Sequence, residues 1–171
     1  LIAGLITPSK GSISIDEISF TDLNIHSLHK LLSYVPQNIY LLDASIKDNI
    51  LFGSNLYSEK DLKEVIKKAN LEDFVKGLPK GIETIIGERN SKISGGQAQR
   101  IGIARALIKK PSILIFDEST NSLDSETELQ IMNSILKLKN ELTIIMISHS
   151  DKSLNICDEI IDINDFKKER K

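Results

Sequence analysis

The sequence predicts an α/β fold built on a parallel sheet, and three observations carry that expectation. The run SILIF at 112–116 is continuously apolar between Pro111 and Asp117, and LTIIMI at 142–147 is a second such run. Strands covered on both faces in parallel sheets read this way, without polar alternation. Between and before them lie segments with helical periodicity, at 95–109 and 125–139, so helix and strand alternate as in βαβ units.

The elements follow in order. Residues 1–6 read as the end of a helix closed by Thr7-Pro8, and 12–15 alternate as a short strand. A short helix is expected over 25–32, then a strand over 33–35 that Pro36 ends. Residues 58–69 predict a helix: Ser58 caps it with Asp61 three residues on, and Leu62, Val65, Ile66 and Ala69 share one face. A further helical piece is expected at 71–77. The helix over 95–109 stops before Pro111. That over 125–139 opens on a Ser125-x-x-Glu128 capping box, with Leu129, Met132, Ile135 and Leu136 on its apolar face. Residues 159–163 predict a third strand. The largely helical stretch from 45 to 109 reads as an insertion into the sheet framework.

Composition bounds the function. The chain has 171 residues, 40% of them apolar and 27% charged, enough for one sizeable core. A net charge of -2 gives no bulk electrostatic case for nucleic acid or an anionic membrane. The single cysteine, Cys157, rules out a disulfide framework, favours a cytosolic setting and reads as a small buried hydrophobe. No apolar run has the length of a membrane span. The opening LIAGLITPSKG carries no initiator Met and predicts material upstream.

Open α/β sheets place their sites at the carboxyl ends of strands. There the sequence sets Gln37 after SYVP, Asp117 and Glu118 after SILIF, and His149 after LTIIMIS. Each alone has an ordinary explanation: a loop glutamine, a helix-capping pair, a structural histidine. Together on one edge they suit phosphoryl chemistry. Asp117 suits Mg²⁺, and Glu118 suits the orientation of an attacking water. His149 can hydrogen-bond a γ-phosphate, and Gln37 can complete the Mg²⁺ or water shell. Ser94-Gly95-Gly96-Gln97 has the pattern of a capping box. It predicts a helix start whose bare amides receive an anion. On four residues alone, a plain glycine-rich loop is the better explanation.

SGGQAQR at 94–100, ILIFDE at 113–118, NSLD at 121–124 and His149 resemble, in order and spacing, an ATP-binding-cassette (ABC) ATPase domain. SGGQ resembles the family signature, ILIFDE the Walker B strand, NSLD the D-loop, YVPQ with Gln37 the Q-loop, and His149 the switch histidine. SIKDNILFG at 45–53 and TIIGERNSKISGGQ at 84–97 resemble exporter-type cassettes. The stretch from Thr84 to Glu88 is similar to the loop that meets a membrane domain's coupling helices. YVPQNIYLLDASIKDNI resembles cassettes of lipid-linked oligosaccharide flippases.

The resemblance implies a P-loop NTPase (RecA-like) α/β core with a helical signature subdomain. The core would be 1–40, up to the Q-loop, and 111–165, with Walker B, D-loop and switch histidine. The helical subdomain would be 41–110. It implies ATP and Mg²⁺ as ligands, with Asp117 and Gln37 at the metal and Glu118, His149 and Gln37 catalytic. Ser94, Gly95, Gly96 and Gln97 would bind ATP held by a second cassette, with Asp124 at the dimer contact. A membrane domain fused upstream would hold the protein at the cytoplasmic face of a plasma or inner membrane, where ATP hydrolysis would drive export or flipping of a lipid-linked glycan, a lipid or a peptide. A non-transport ABC ATPase and an inactive truncated cassette are the alternatives.

The sequence also departs from the family pattern. Ile93 stands for the usual Leu, Asn121-Ser122 for the usual Ser-Ala, and no GxxxxGK[ST] occurs. The expectation is therefore a Walker A loop, its strand and an adenine-stacking aromatic upstream of Leu1. A chain without them is expected to hydrolyse no ATP alone and to fold poorly.

Overall fold

The computed structural model describes residues 1–54, 57–87, 93–119 and 124–165. The N-terminal segment is a turn followed by a two-stranded hairpin, β1 (Ser14–Ile15) and β2 (Ile18–Ser19). Residues 1–6 form no helix. Leu1, Leu5 and Ile6 are exposed, and a run that buries so little of its apolar surface has little to hold it helical. Helix α1 (Ile25–Leu31) follows, with Asn24 Oδ1 accepting from the His26 amide at 2.9 Å, and runs straight into β3 (Leu32–Val35).

The helical stretch begins with β4 (Ala44–Ser45), α2 (Ile46–Leu51), α3 (Glu59–Lys68) and α4 (Glu72–Lys76). A single 3₁₀ turn (Gly81–Glu83) then leads to β5 (Ile85–Ile86), which pairs antiparallel with β4. That two-residue pairing is too short to leave a period in the sequence. It is tight because Gly87 has φ 142, and a Cβ there would lie 2.6 Å from the Asp43 Cα. The Ser58–Asp61 capping box forms as expected: Asp61 Oδ2 accepts from the Ser58 amide at 2.8 Å, and Ser58 Oγ from the Asp61 amide at 3.1 Å.

Helix α5 (Gly95–Leu107) is the pivot of the molecule. It buries Gln99, Ile101, Gly102, Ile103, Ala104, Ala106 and Leu107, so it is enclosed on most sides rather than amphipathic. Strand β6 (Ile113–Asp117), helix α6 (Ser125–Leu138), strand β7 (Thr143–Ile147) and the short α7 (Asp151–Leu154) complete the fold. The sheet is parallel in the order β3-β6-β7, with Val35 opposite Phe116 and Asp117 opposite Ile147. One core joins Val35, Leu114 and Phe116 of the sheet to Ile46, Ile50, Leu62 and Val65 of the helical stretch and Ile131 and Ile135 of α6.

Five further expectations are corrected. Residues 159–163 form no strand; Ile160, Ile161 and Ile163 are exposed, and among the described residues no strand pairs with them. Strand β7 is only half-buried, because β6 is its one neighbour among the described residues. Helix α6 is capped by Asp124 and not by Ser125, since the Asp124 carboxylate takes two amides at once. Its buried face is Glu128, Ile131, Met132, Ile135 and Leu138, which leaves Leu129 and Leu136 exposed. Cys157 is half-buried, its thiol donating to the Ser153 carbonyl at 3.5 Å.

The segment after β3 is pinned by a buried polar network. Asn49 has no exposed surface; its amide NH₂ donates to the Leu42 and Ser45 carbonyls at 3.0 Å, and its Oδ1 accepts from the Leu42 amide at 2.8 Å. Arg105 of α5 donates to the Asn49 carbonyl at 2.7 Å, to Asn49 Oδ1 at 3.1 Å and to the Tyr40 carbonyl at 3.0 Å. Burial pushes the Arg105 guanidinium pKa down. A charge so placed is held by these three acceptors.

Candidate functional site

Parallel register brings the ends of three strands to one edge. Gln37 follows β3, Asp117 ends β6 and His149 lies two residues beyond β7. Glu118 continues the ladder, its amide donating to the Ile147 carbonyl at 2.9 Å, but its own φ is 46°. That left-handed turn breaks the strand at the residue after Asp117.

The Glu118 carboxylate is gripped from two sides. Gln37 Nε2 donates to Oε2 at 3.3 Å, and His149 Nε2 lies 3.1 Å from Oε1. The two partners come from different strands, so the contact exists only in this register. His149 is otherwise open, its side chain 83% exposed against 28% for Glu118. The chain behind it is anchored: Glu128 of α6 accepts from Ser150 Oγ at 3.0 Å and pairs with Lys152 Nζ at 3.2 Å. Glu128 is thus buried for a reason its place in an apolar face did not suggest.

Asp117 has a partner that sequence reasoning missed. Tyr34 Oη donates to Asp117 Oδ2 at 2.5 Å. The hydrogen bond to Asp117, then burial and the carboxylate's charge, push the Tyr34 phenol up to about 12. The available signal was an aromatic three residues before Gln37, on the strand beside the acidic pair.

The start of α5 is a second element. Its capping box is complete: Ser94 Oγ accepts from the Gln97 amide at 3.2 Å, and Gln97 Oε1 accepts from the Ser94 amide at 3.0 Å. Gly95 is exposed, but Gly96 is buried, and a Cβ on it would fall 2.2 Å from Thr127 Cγ2 of α6. Gly96 is therefore small because two helix starts meet there. This packing reason stands beside the anion access expected from the sequence. The facing start is capped by Asp124, whose Oδ1 accepts from the Thr127 amide at 3.0 Å and the Glu126 amide at 3.2 Å. Those bonds, the Thr127 amide's first, hold the Asp124 carboxyl below its usual range. Asn121, Ser122 and Leu123 of NSLD, Glu88 of the loop at 84–88, and the charged tail at 167–171 lie outside the described residues.

Comparison with known proteins identifies the family. The ABC transporter family matches residues 1–121. The chain is 40% identical over 153 residues to the ABC transporter ATP-binding protein YwjA of Bacillus subtilis, covering 90% of this chain and 27% of that protein. It is 40% identical over 162 residues to the ATP-dependent lipid A-core flippase of Bordetella avium, covering 94% of this chain and 27% of the flippase. A solved bacterial Atm1-family ABC exporter with ATP bound superposes with a TM-score of 0.79 at 35% identity, over 90% of this chain and 27% of that one. The chain thus spans about a quarter of the length of these relatives. The α/β fold is that of a P-loop NTPase. With the family matched over most of its length and the strand-end residues assembled on one edge, the chain belongs to the ABC transporter family.

Proposed function

We propose that this chain is part of the ATP-binding and ATP-hydrolysing domain of an ABC exporter, whose full protein couples hydrolysis to export or flipping of a substrate across a membrane. The observation that carries this reading is Glu118 held between Gln37 and His149 at the carboxyl edge of the sheet. A carboxylate fixed at both oxygens can orient a water and accept its proton as that water attacks a γ-phosphate. His149, exposed beside it, would donate to the same phosphate. Ser94, Gly95, Gly96 and Gln97 would serve ATP held by a second cassette, with the helix dipole favouring the anion. Asp124 would lie at that dimer contact. Residues 1–40 and 111–165 would move as the core and 41–110 as the helical signature subdomain.

The donor set fits Mg²⁺ brought with a nucleotide. Magnesium takes one or two protein oxygens and fills its octahedron with waters and phosphates. Asp117 offers a half-exposed carboxylate, and Gln37, its NH₂ turned to Glu118, offers Oε1. Among the described residues no group of three or more His, Cys, Asp or Glu forms a protein cage for a metal. When bound, the ion would neutralise charge on the transferring phosphoryl group.

No helix among the described residues is long and apolar enough to cross a membrane. The membrane path would belong to a transmembrane domain, with this domain at its cytoplasmic face. The flippase among the relatives makes a lipid or lipid-linked glycan the first substrate class to test. In the full-length protein, Glu118→Gln is expected to lower ATP turnover at least about 100-fold while ATP binding persists. Unchanged turnover would remove the role given to Glu118.

A further inference from the structure

Tyr34 is not explained by packing. It is 44% exposed and lies outside the main apolar core. Its place in the sheet explains its hydroxyl instead. Tyr34 pairs with Ile115 in the parallel register, and Ile115 and Asp117 share a face because side chains alternate along a strand. Asp117 is therefore the diagonal neighbour of Tyr34, a separation that an aromatic side chain can span. The ring lies toward the carboxyl edge, and its hydroxyl ends 2.5 Å from Asp117 Oδ2. A hydroxyl donating to a carboxylate at that distance is a charge-assisted bond, among the stronger kinds in a protein.

Such a bond has a definite effect on a carboxylate at a strand end. It occupies one oxygen and fixes the plane of the group, leaving Oδ1 to present to a cation. A carboxylate held this way has less freedom to lose when a metal arrives. We propose that Tyr34 is a positioning residue for metal binding, its hydroxyl orienting the Asp117 carboxylate toward Mg²⁺ carried in with the nucleotide. This rests on the ATPase reading above. Tyr34 itself need not touch metal or nucleotide.

Tyr34→Phe removes the hydroxyl and keeps the ring. In the full-length protein, two titrations are compared with wild type. One is ATP turnover against Mg²⁺ concentration at fixed ATP. The other is Mn²⁺ binding with a non-hydrolysable ATP analogue, read from the free-Mn²⁺ electron paramagnetic resonance signal without any turnover. The variant is expected to need about tenfold more Mg²⁺ for half-maximal rate and to bind Mn²⁺ about tenfold more weakly. Its kcat at saturating Mg²⁺ should fall less than about twofold, because Tyr34 does not act on the reacting atoms. Superimposable metal curves would overturn the proposal, as would a loss of kcat with no shift in metal dependence. A wild-type protein that hydrolyses no ATP would instead remove the ATPase reading and this proposal with it.

Discussion

At the carboxyl edge of the sheet, Gln37 and Glu118 are 81 residues apart in sequence and touch; at the start of α5, Ser94 and Gln97 are three apart and satisfy each other. The first arrangement exists only while β3, β6 and β7 keep their register. The second is made within one turn of one helix and asks of the rest of the fold only that α6 pack beside it. The edge therefore inherits the cooperativity of the core, while the helix start is robust locally and constrained at one point, Gly96 against Thr127.

The strongest way to break that contrast is through the core beneath the edge. Phe116 is 1% exposed in the middle strand, and Phe116→Ala should cost about 3–5 kcal/mol in urea denaturation. Its loss should also separate Glu118 from Gln37 and His149 while the α5 capping box survives. A cost below about 1 kcal/mol would mean that the edge does not lean on strand packing.

A smaller effect tests the helix start. Gly96→Ala should cost about 1–3 kcal/mol by overpacking, and Thr127→Ala in the same chain should recover most of it. If Gly96→Ala leaves stability intact and lowers only ATP turnover, the glycine serves anion approach and not helix contact.

The smallest effects come from pH, where the carboxylate-capped helix starts and the sheet edge should fail at opposite ends. Asp61 is pulled from 3.8 to about 2, chiefly by Lys110 and then by the Ser58 amide and hydroxyl, and Asp124 is held low by its capping bonds. A depressed carboxyl stabilises the fold above its unfolded pKa, and that contribution is lost as pH falls through the folded value. The start of α3 should therefore loosen between about pH 4 and pH 2, and that of α6 as pH falls below the usual aspartate range, both seen as loss of helical circular dichroism. Tyr34 is raised from 10.0 to about 12, so its contribution is complete below pH 10 and lost as pH rises through 12. Ultraviolet titration should show one phenolate appearing near that upper value, and its absence after Tyr34→Phe would identify it.

Legibility in the sequence followed the same division. Ser58–Asp61 and Ser94–Gln97 could be read because a capping box is written in four consecutive residues. SILIF and LTIIMI could be read as strands, and their ends pointed to Asp117, Glu118 and His149. What depends on distant partners could not be read. Nothing local shows that Tyr34 meets Asp117, that Glu128 is buried to hold Ser150 and Lys152, or that Asn49 and Arg105 interlock. Residues 1–6 and 159–163 carry convincing apolar patterns, yet a pattern describes only one side of a contact. At Asp124-Ser125 two good capping residues stand together, and the better acceptor of two amides prevails.

The left-handed backbone at Glu118 has a practical consequence. An L-residue other than glycine, asparagine or aspartate holds that conformation against a penalty of about 1–2 kcal/mol, and Glu118 does so at φ 46° in the folded chain. Directed evolution for thermal tolerance alone should therefore drift toward glycine or asparagine at this position. Such a lineage would grow sturdier while losing the carboxylate that the proposed reaction needs. A selection that keeps glutamate at 118 must be reading activity.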